Sequence, residues 1–122
     1  MLRLLVVDDE VDICDFVKNF FKERDFEVFV AYNGNEAVSI VASRKPDIIL
    51  LDLKMPGMDG METLKDIRRL DGNVKTIVIT AIADEEKVRE AKYYGAVEYV
   101  TKPLLLEQLE RTVLTIAEQL KT

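Results

Sequence analysis

The sequence predicts an α/β domain with a doubly wound, five-stranded parallel sheet covered by helices on both faces. Three observations lead there. Short apolar runs at residues 4–7, 28–30, 48–51 and 77–79, with a mixed run at 97–100, alternate with longer amphipathic stretches. The first four are continuously apolar rather than alternating, which marks strands buried on both faces, as parallel strands are. Turn formers punctuate the units at Asn33-Gly34, Lys45-Pro46, residues 54–60, Gly72 and Gly95. Strand and helix patterns in strict alternation imply a parallel sheet between two helical layers.

The elements follow in order. Strand one, Leu4 to Val7, runs into the acidic Asp8-Asp9-Glu10. Ile13, Cys14, Phe16, Val17, Phe20 and Phe21 then recur at the spacing of one broad helix face, and Cys14 on it reads as core. Val28-Phe29-Val30 is strand two. Asn33-Gly34 breaks it, and Ala37, Val38, Val41 and Ala42 pattern a second helix. Strand three, Ile48 to Leu51, is introduced by Lys45-Pro46 and ended by Asp52. In the loop that follows, Asp59 is placed to cap a third helix, with Glu62 three residues on as in a capping box. The inner face of that helix is expected at Leu64, Ile67 and Leu70, with Gly72 ending it. Strand four, Ile77 to Ile79, stops at Thr80. Asp84 is placed to cap a fourth helix that ends at Gly95. Strand five spans Val97 to Val100. Lys102-Pro103 leads to a last helix striped by Leu106, Leu109, Val113, Ile116 and Leu120. The whole chain, residues 1–122, reads as one domain without linker or repeat.

Composition narrows the function. Hydrophobic residues make up 48% of the 122 and charged residues 33%, which suits a packed core. A net charge of −6 argues against direct nucleic-acid binding and against an anionic membrane, since both require a basic face. No apolar run is long enough to span a bilayer, and the start lacks the pattern of a signal peptide, so a cytoplasmic location is expected. With one cysteine there is no internal disulfide. With no histidine there is no Ser-His or Cys-His nucleophile and no histidine-bound zinc. Chemistry is left to carboxylates, lysine, hydroxyls and a bound metal.

Asp8 and Asp9 follow strand one, Asp52 ends strand three, Thr80 ends strand four and Lys102 follows strand five. All five fall on the carboxyl edge of the sheet, where open α/β folds bind ligands at the point of strand reversal. With strand order 2-1-3-4-5, strands one and three are neighbours and three carboxylates meet. Like charges about 4 Å apart repel by several kcal/mol at an effective dielectric near 20, so a cation is needed. Magnesium, a hard ion that prefers carboxylate oxygens and water, suits such a site. A metal and a lysine beside a carboxylate also accommodate phosphoryl oxygens, and an aspartate can act as the nucleophile. Each residue alone has an ordinary reading: Asp8 and Asp9 favouring a helix N-terminus, Asp52 in a loop, Thr80 in a strand, Lys102 in solvent, Tyr99 in packing. Their combined placement is what is specific.

The segments Leu5 to Glu10, Asp47 to Gly60, Ile79-Thr80-Ala81, and Gly95-Ala96 through Tyr99 to Lys102-Pro103 together resemble the receiver domain of bacterial two-component response regulators, over essentially the whole chain and in order. The resemblance implies a flavodoxin-like three-layer sandwich. It implies that Asp52 is the phosphoryl acceptor, that Asp9, Asp52 and the backbone carbonyl of Lys54 ligate Mg2+ (or Mn2+), and that Asp8 reaches the metal largely through water. By the same resemblance Lys102 pairs with phosphoryl oxygens, Thr80 moves to the modified site, and Tyr99 turns inward behind it. A cis peptide between Lys102 and Pro103 is implied too. Lys54 and Ile82 occupy positions that tune how long the phosphoryl group survives, and a bulky Ile82 predicts a long lifetime. The donor implied is a phosphohistidine on a sensor histidine kinase. The output implied is a changed surface on helix four, strand five and helix five, read by a downstream partner or effector domain, with phosphorylation-dependent homodimerisation as one form. The receiver would catalyse its own phosphotransfer and dephosphorylation.

Two features belong to this chain. Of Tyr93-Tyr94 at the end of helix four, at most one is expected to be buried, and Tyr94 is assigned to a partner surface. Leu104 is expected to help a kinase helix dock beside helix one, or to pack on its own loop. Three rivals remain in view. A degenerate receiver that only binds partners is disfavoured by retention of every expected site residue. An aspartyl phosphatase is disfavoured by the absence of a cap and a second acid. A flavin-binding domain is disfavoured because the phosphate loop lacks a Gly/Ser/Thr-rich stretch. No effector domain follows Thr122, so the chain reads either as a stand-alone receiver or as a fragment of a longer regulator.

Overall fold

The computed structural model describes residues 1–55, 58–81 and 85–121. All five residues of the run Ile48–Asp52 are buried, which puts this segment at the centre of the sheet. The sheet strands are β1 (Arg3–Val7), β2 (Glu27–Ala31), β3 (Ile48–Asp52), β4 (Lys75–Thr80) and β5 (Ala96–Thr101). They pair in the order β2-β1-β3-β4-β5, every neighbour parallel. Two further two-residue strands, Lys54–Met55 and Met58–Asp59, form a separate antiparallel ribbon and are left outside this numbering. The described helices are α1 (Val11–Lys22), α2 (Gly34–Arg44), α3 (Gly60–Leu70), α4 (Glu85–Tyr93) and α5 (Leu106–Leu120).

Because a strand's side chains point alternately to opposite faces, β1 divides its residues between two cores. Leu4 and Val6 join Cys14, Val17 and Phe21 of α1 and Leu109, Val113 and Ile116 of α5 on one face. Leu5 and Val7 join Ala37 and Val41 of α2, Leu64 and Ile67 of α3, and Ala91 of α4 on the other. The result is the expected three-layer sandwich. Strand order reverses between β1 and β3, so their carboxyl ends open a crevice there.

Local signals set several helix boundaries. The Asn33 side chain accepts a hydrogen bond from Glu36 N (2.9 Å) and starts α2. Asp59 Oδ1 accepts from Met61 N (2.9 Å) and starts α3. Glu62 does not complete a capping box; its carboxylate accepts from Lys65 Nζ at 3.2 Å instead. Gly95, at φ +100°, closes the turn after α4 in a conformation that glycine adopts without steric cost. Asp84, the expected cap of α4, lies outside the described residues.

Three expectations are corrected. Phe16 is 58% exposed rather than part of the α1 core face, because the apolar arc of α1 is wider than the surface that the sheet and α5 cover. Leu70, the last residue of α3, is 50% exposed rather than part of its inner face. The chain leaves α3 through an extended Asp71 (φ −152°), so Gly72 is not the left-handed stop. Among the described residues no helix is long and apolar enough to cross a membrane.

Candidate functional site

Asp8 leaves the end of β1 and its N–H donates to the Ala31 carbonyl (3.1 Å), which continues the β1–β2 pairing one residue past the strand. Its Oδ1 accepts from Glu10 N (2.9 Å), which fixes the side chain across the start of α1. Asp52 ends β3, and its Oδ1 accepts from Lys54 N (3.0 Å). Since β1 and β3 are adjacent and in register, with Val7 opposite Leu51, the acids that follow them meet. One carboxylate oxygen each from Asp8, Asp9 and Asp52 lies within 4.8 Å of the others. Asp8 and Asp52 are buried, at 4% and 2% exposure, while Asp9 faces solvent.

Lys102 reaches the same place from β5. Its N–H donates to the Thr80 carbonyl (2.7 Å), and its Nζ donates to Asp52 Oδ2 at 2.8 Å. The Lys102–Pro103 peptide that follows is cis. Asp52 therefore has each carboxylate oxygen engaged by a donor, one a backbone amide and one a cation, whereas Asp8 has the Glu10 amide and, among the described residues, no cation in direct contact. Burial, with the Asp52 charge adding to it, raises Asp8 from an ordinary carboxylate value to about 6. Burial of Lys102 works against its charge, but the hydrogen bond and the charge of Asp52 outweigh it and raise the lysine above its usual value.

This donor set fits a hard divalent cation. It offers three oxygen-bearing side chains converging on one point, two of them buried, and like charges held that close favour a cation between them. The Lys54 backbone is oriented to contribute. Gly60 N donates to the Leu53 carbonyl (3.2 Å), so in the alternating antiparallel pattern Lys54 and Asp59 form the non-hydrogen-bonded pair. Both backbone groups of Lys54 then point away from the ribbon partner, and its N–H already meets Asp52. In extended backbone the carbonyl of the same residue lies on that same side.

Thr80 is buried at the end of β4, and Tyr99 is half-buried on β5, against the core that α2, α3 and α4 cover. Ile82 lies outside the described residues. Cys14 donates its S–H to the Asp8 carbonyl (3.2 Å), and burial, reinforced by the Asp8 charge, pushes the thiol up to about 12; it is a core residue, not a nucleophile. Tyr94 corrects the assignment of a partner surface. It is half-buried against the core, with Lys65 Nζ 4.8 Å from its ring centroid, whereas Tyr93 is 77% exposed. The exposed aromatic of the pair is therefore Tyr93. An apolar groove of about 490 Å³ lies beside the site, bordered by Ile13, Phe16, Lys102, Pro103, Leu104 and Leu106; the sequence placed Leu104 beside helix one but counted Phe16 as core. The surplus apolar residue Phe16 was its signal.

A parallel β2-β1-β3-β4-β5 sheet with an acidic cluster and a lysine at its switch point defines a receiver domain. The family model for the response regulator receiver domain matches residues 4–114, and the chain belongs to that family. It is 41% identical over 116 residues to the chemotaxis protein CheY of Listeria monocytogenes, covering 91% of this chain and 98% of that protein. It is 35% identical over 111 residues to sporulation initiation phosphotransferase F of Bacillus subtilis, covering 91% and 90%. Among solved structures, the response regulator protein TrrA from Thermotoga maritima in complex with Mg(2+)-BeF matches with a TM-score of 0.84 at 34% identity, over 95% of this chain and 99% of that one. The chain spans 24% of the regulatory protein AtoC of Escherichia coli, to which it is 38% identical. Receiver domains of two-component systems bind Mg2+ at an acidic cluster of this kind and work with histidine kinases and effector domains.

Proposed function

We propose that this receiver domain accepts a phosphoryl group on Asp52 from the phosphohistidine of a sensor histidine kinase, with Mg2+ held by Asp8, Asp9, Asp52 and the Lys54 carbonyl. The observation that carries this reading is the contact between Lys102 Nζ and Asp52 Oδ2 at 2.8 Å, inside a cluster of three carboxylates. An Asp52 oxygen forms the new P–O bond as the donor's P–N bond breaks, and the imidazole leaves with that electron pair. Lys102 is positioned to transfer its hydrogen bond from the carboxylate to a phosphoryl oxygen, where charge-assisted bonds are strongest. Bound Mg2+ supplies the remaining neutralisation of phosphoryl charge. TrrA, a relative of the same fold, was solved with Mg(2+)-BeF, which is consistent with such chemistry here.

Thr80 is the proposed reporter of modification and Tyr99 its relay to the face formed by α4, β5 and α5. Thr80 lies next to the Lys102 backbone through the 2.7 Å bond its carbonyl accepts. The groove at Phe16 and Leu104 is the proposed seat of a kinase helix, because Lys102 lines it and phosphoryl transfer requires the donor to approach there. The proposed site of action is the cytoplasm, and the phosphorylated face is proposed to engage an effector or a second copy.

Incubation with acetyl phosphate and Mg2+, followed by intact mass measurement, tests the chemistry. One added phosphoryl group is expected in the parent and none in Asp52→Asn. A parent that gains no mass with or without Mg2+ would defeat the proposal.

A further inference from the structure

We infer that Gly60 is a positioning residue for the metal site: its missing side chain lets α3 start against the Leu53 backbone, and that contact sets the Leu53–Lys54 peptide that faces Asp52. The inference rests on the metal reading above and adds to it a residue that touches no ligand. Gly60 is buried and is the first residue of α3. A methyl group at Gly60 would come within 2.6 Å of the Leu53 carbonyl carbon and closer still to its Cα and oxygen. All three are backbone atoms, so no rotamer change relieves the overlap.

The peptide at stake is tied on three sides. Leu53 N donates to the Ile79 carbonyl (3.0 Å), the Leu53 carbonyl accepts from Gly60 N (3.2 Å), and Lys54 N donates to Asp52 Oδ1 (3.0 Å). The first bond comes from the sheet and is rigid. An overlap at Gly60 therefore tilts the Leu53–Lys54 peptide about its β4 anchor, which moves Lys54 N–H off Asp52 and its carbonyl off the carboxylate cluster. Asp59 caps the helix from the preceding position, so the α3 N-terminus cannot easily retreat instead.

Gly72 and Gly95 behave differently. A methyl group at Gly72 would meet nothing within 4 Å. At Gly95 it would meet the flexible end of Arg68, and the left-handed φ is the constraint there. Of these three glycines, Gly60 is the one whose constraint presses on a backbone segment that belongs to the site.

The test is Mg2+ titration of the parent, Gly60→Ala, Gly72→Ala and Asp9→Asn, by calorimetry and by the amide resonance of Lys54. Gly60→Ala is expected to weaken Mg2+ binding by about tenfold or more, the range seen when groups supporting metal ligands are lost. It should also shift the Lys54 amide signal before any metal is added. Asp9→Asn should lose Mg2+ but leave the metal-free Lys54 signal in place, and Gly72→Ala should match the parent in both. A folded Gly60→Ala with parental Mg2+ affinity overturns the inference, as does an unmoved Lys54 signal. If the variant is unfolded at 25 °C, the titration is repeated in the cold with trimethylamine N-oxide, which favours compact states. A chain still unfolded there overturns the assignment too, because the glycine would then serve the fold as a whole. A parent that binds no Mg2+ overturns instead the metal reading on which the inference rests.

Discussion

Helices α1 and α4 both follow a strand that delivers a site residue, yet they are held very differently. α1 buries Cys14, Val17 and Phe21, and Phe21 stacks edge-on against Phe20 and Phe26 at centroid distances of 5.1 and 5.6 Å. Its far end is tied by Arg24, which pairs with Glu110 of α5 and lies over the Phe20 ring. α4 buries only Ala91 among its described residues, and acidic and basic side chains dominate the rest. The site therefore has one firm wall, carrying Asp8 and Asp9, and one weakly held wall beyond Thr80. Elements with little buried apolar area open at low free energy, so a chemical event at Asp52 has an easier outlet towards α4 than towards α1.

The largest expected effect tests the firm wall. Phe21→Ala should cost about 3–5 kcal/mol of stability, as large-to-small changes at fully buried aromatic positions do, measured by denaturant unfolding. Val88→Ala in α4 should cost less than about 1 kcal/mol in the same measurement, because its side chain is only partly covered. Equal costs would erase the contrast between the two helices.

The second effect concerns charge on the firm wall. Asp8 titrates near 6 when folded, against an ordinary 3.8, so the native state binds more protons than the unfolded chain between these values. Metal-free stability should accordingly fall as pH rises from about 4 to 6, and Asp8→Asn should gain up to about 2 kcal/mol over the parent at pH 7 in chelator. Added Mg2+ should reverse the order of the two proteins. A metal-free Asp8→Asn that is less stable than the parent at pH 7 would show that the cluster is not electrostatically strained.

A third expectation needs no mutation. Amide hydrogen exchange should be faster in α4 than in α1 by roughly tenfold or more, in line with a difference of at least about 1.4 kcal/mol in local opening. Comparable protection would move the soft wall elsewhere. Smallest of all, Tyr93→Ala should leave stability within about 0.5 kcal/mol of the parent, since the ring is largely in solvent. If it also leaves partner binding unchanged, the exposed ring is not part of the α4 surface.

Much of this arrangement was legible in the chain. Leu4 to Val7 and Ile48 to Leu51 declare buried parallel strands because nothing polar interrupts them, and Asp8 and Asp52 declare a shared edge because each directly follows such a run, with Asp9 one residue on. What periodicity could not tell is how wide a helix face its neighbours cover. Phe16 lies on the same apolar arc as Phe20, but the covering surface is made by elements distant in sequence, and it ends short of Phe16. Tyr93 and Tyr94 are one residue apart, so helical rotation alone separates them by about 100°. Which of the two turns inward depended on where the core on that face of the sheet lies, against which Tyr94 packs.

By itself, the sequence determined the strand and helix alternation, the carboxylates at the strand ends, the break at Asn33-Gly34 and the cap at Asp59, all of which follow from local pattern and propensity. Tertiary structure alone decided that Lys102 Nζ ends 2.8 Å from Asp52, that Asp8 is buried deeply enough to titrate high, and that Gly60 must be bare against Leu53. The reason is physical. Burial, Coulomb interaction and steric exclusion depend on distances between atoms that the chain brings together only when the sheet closes.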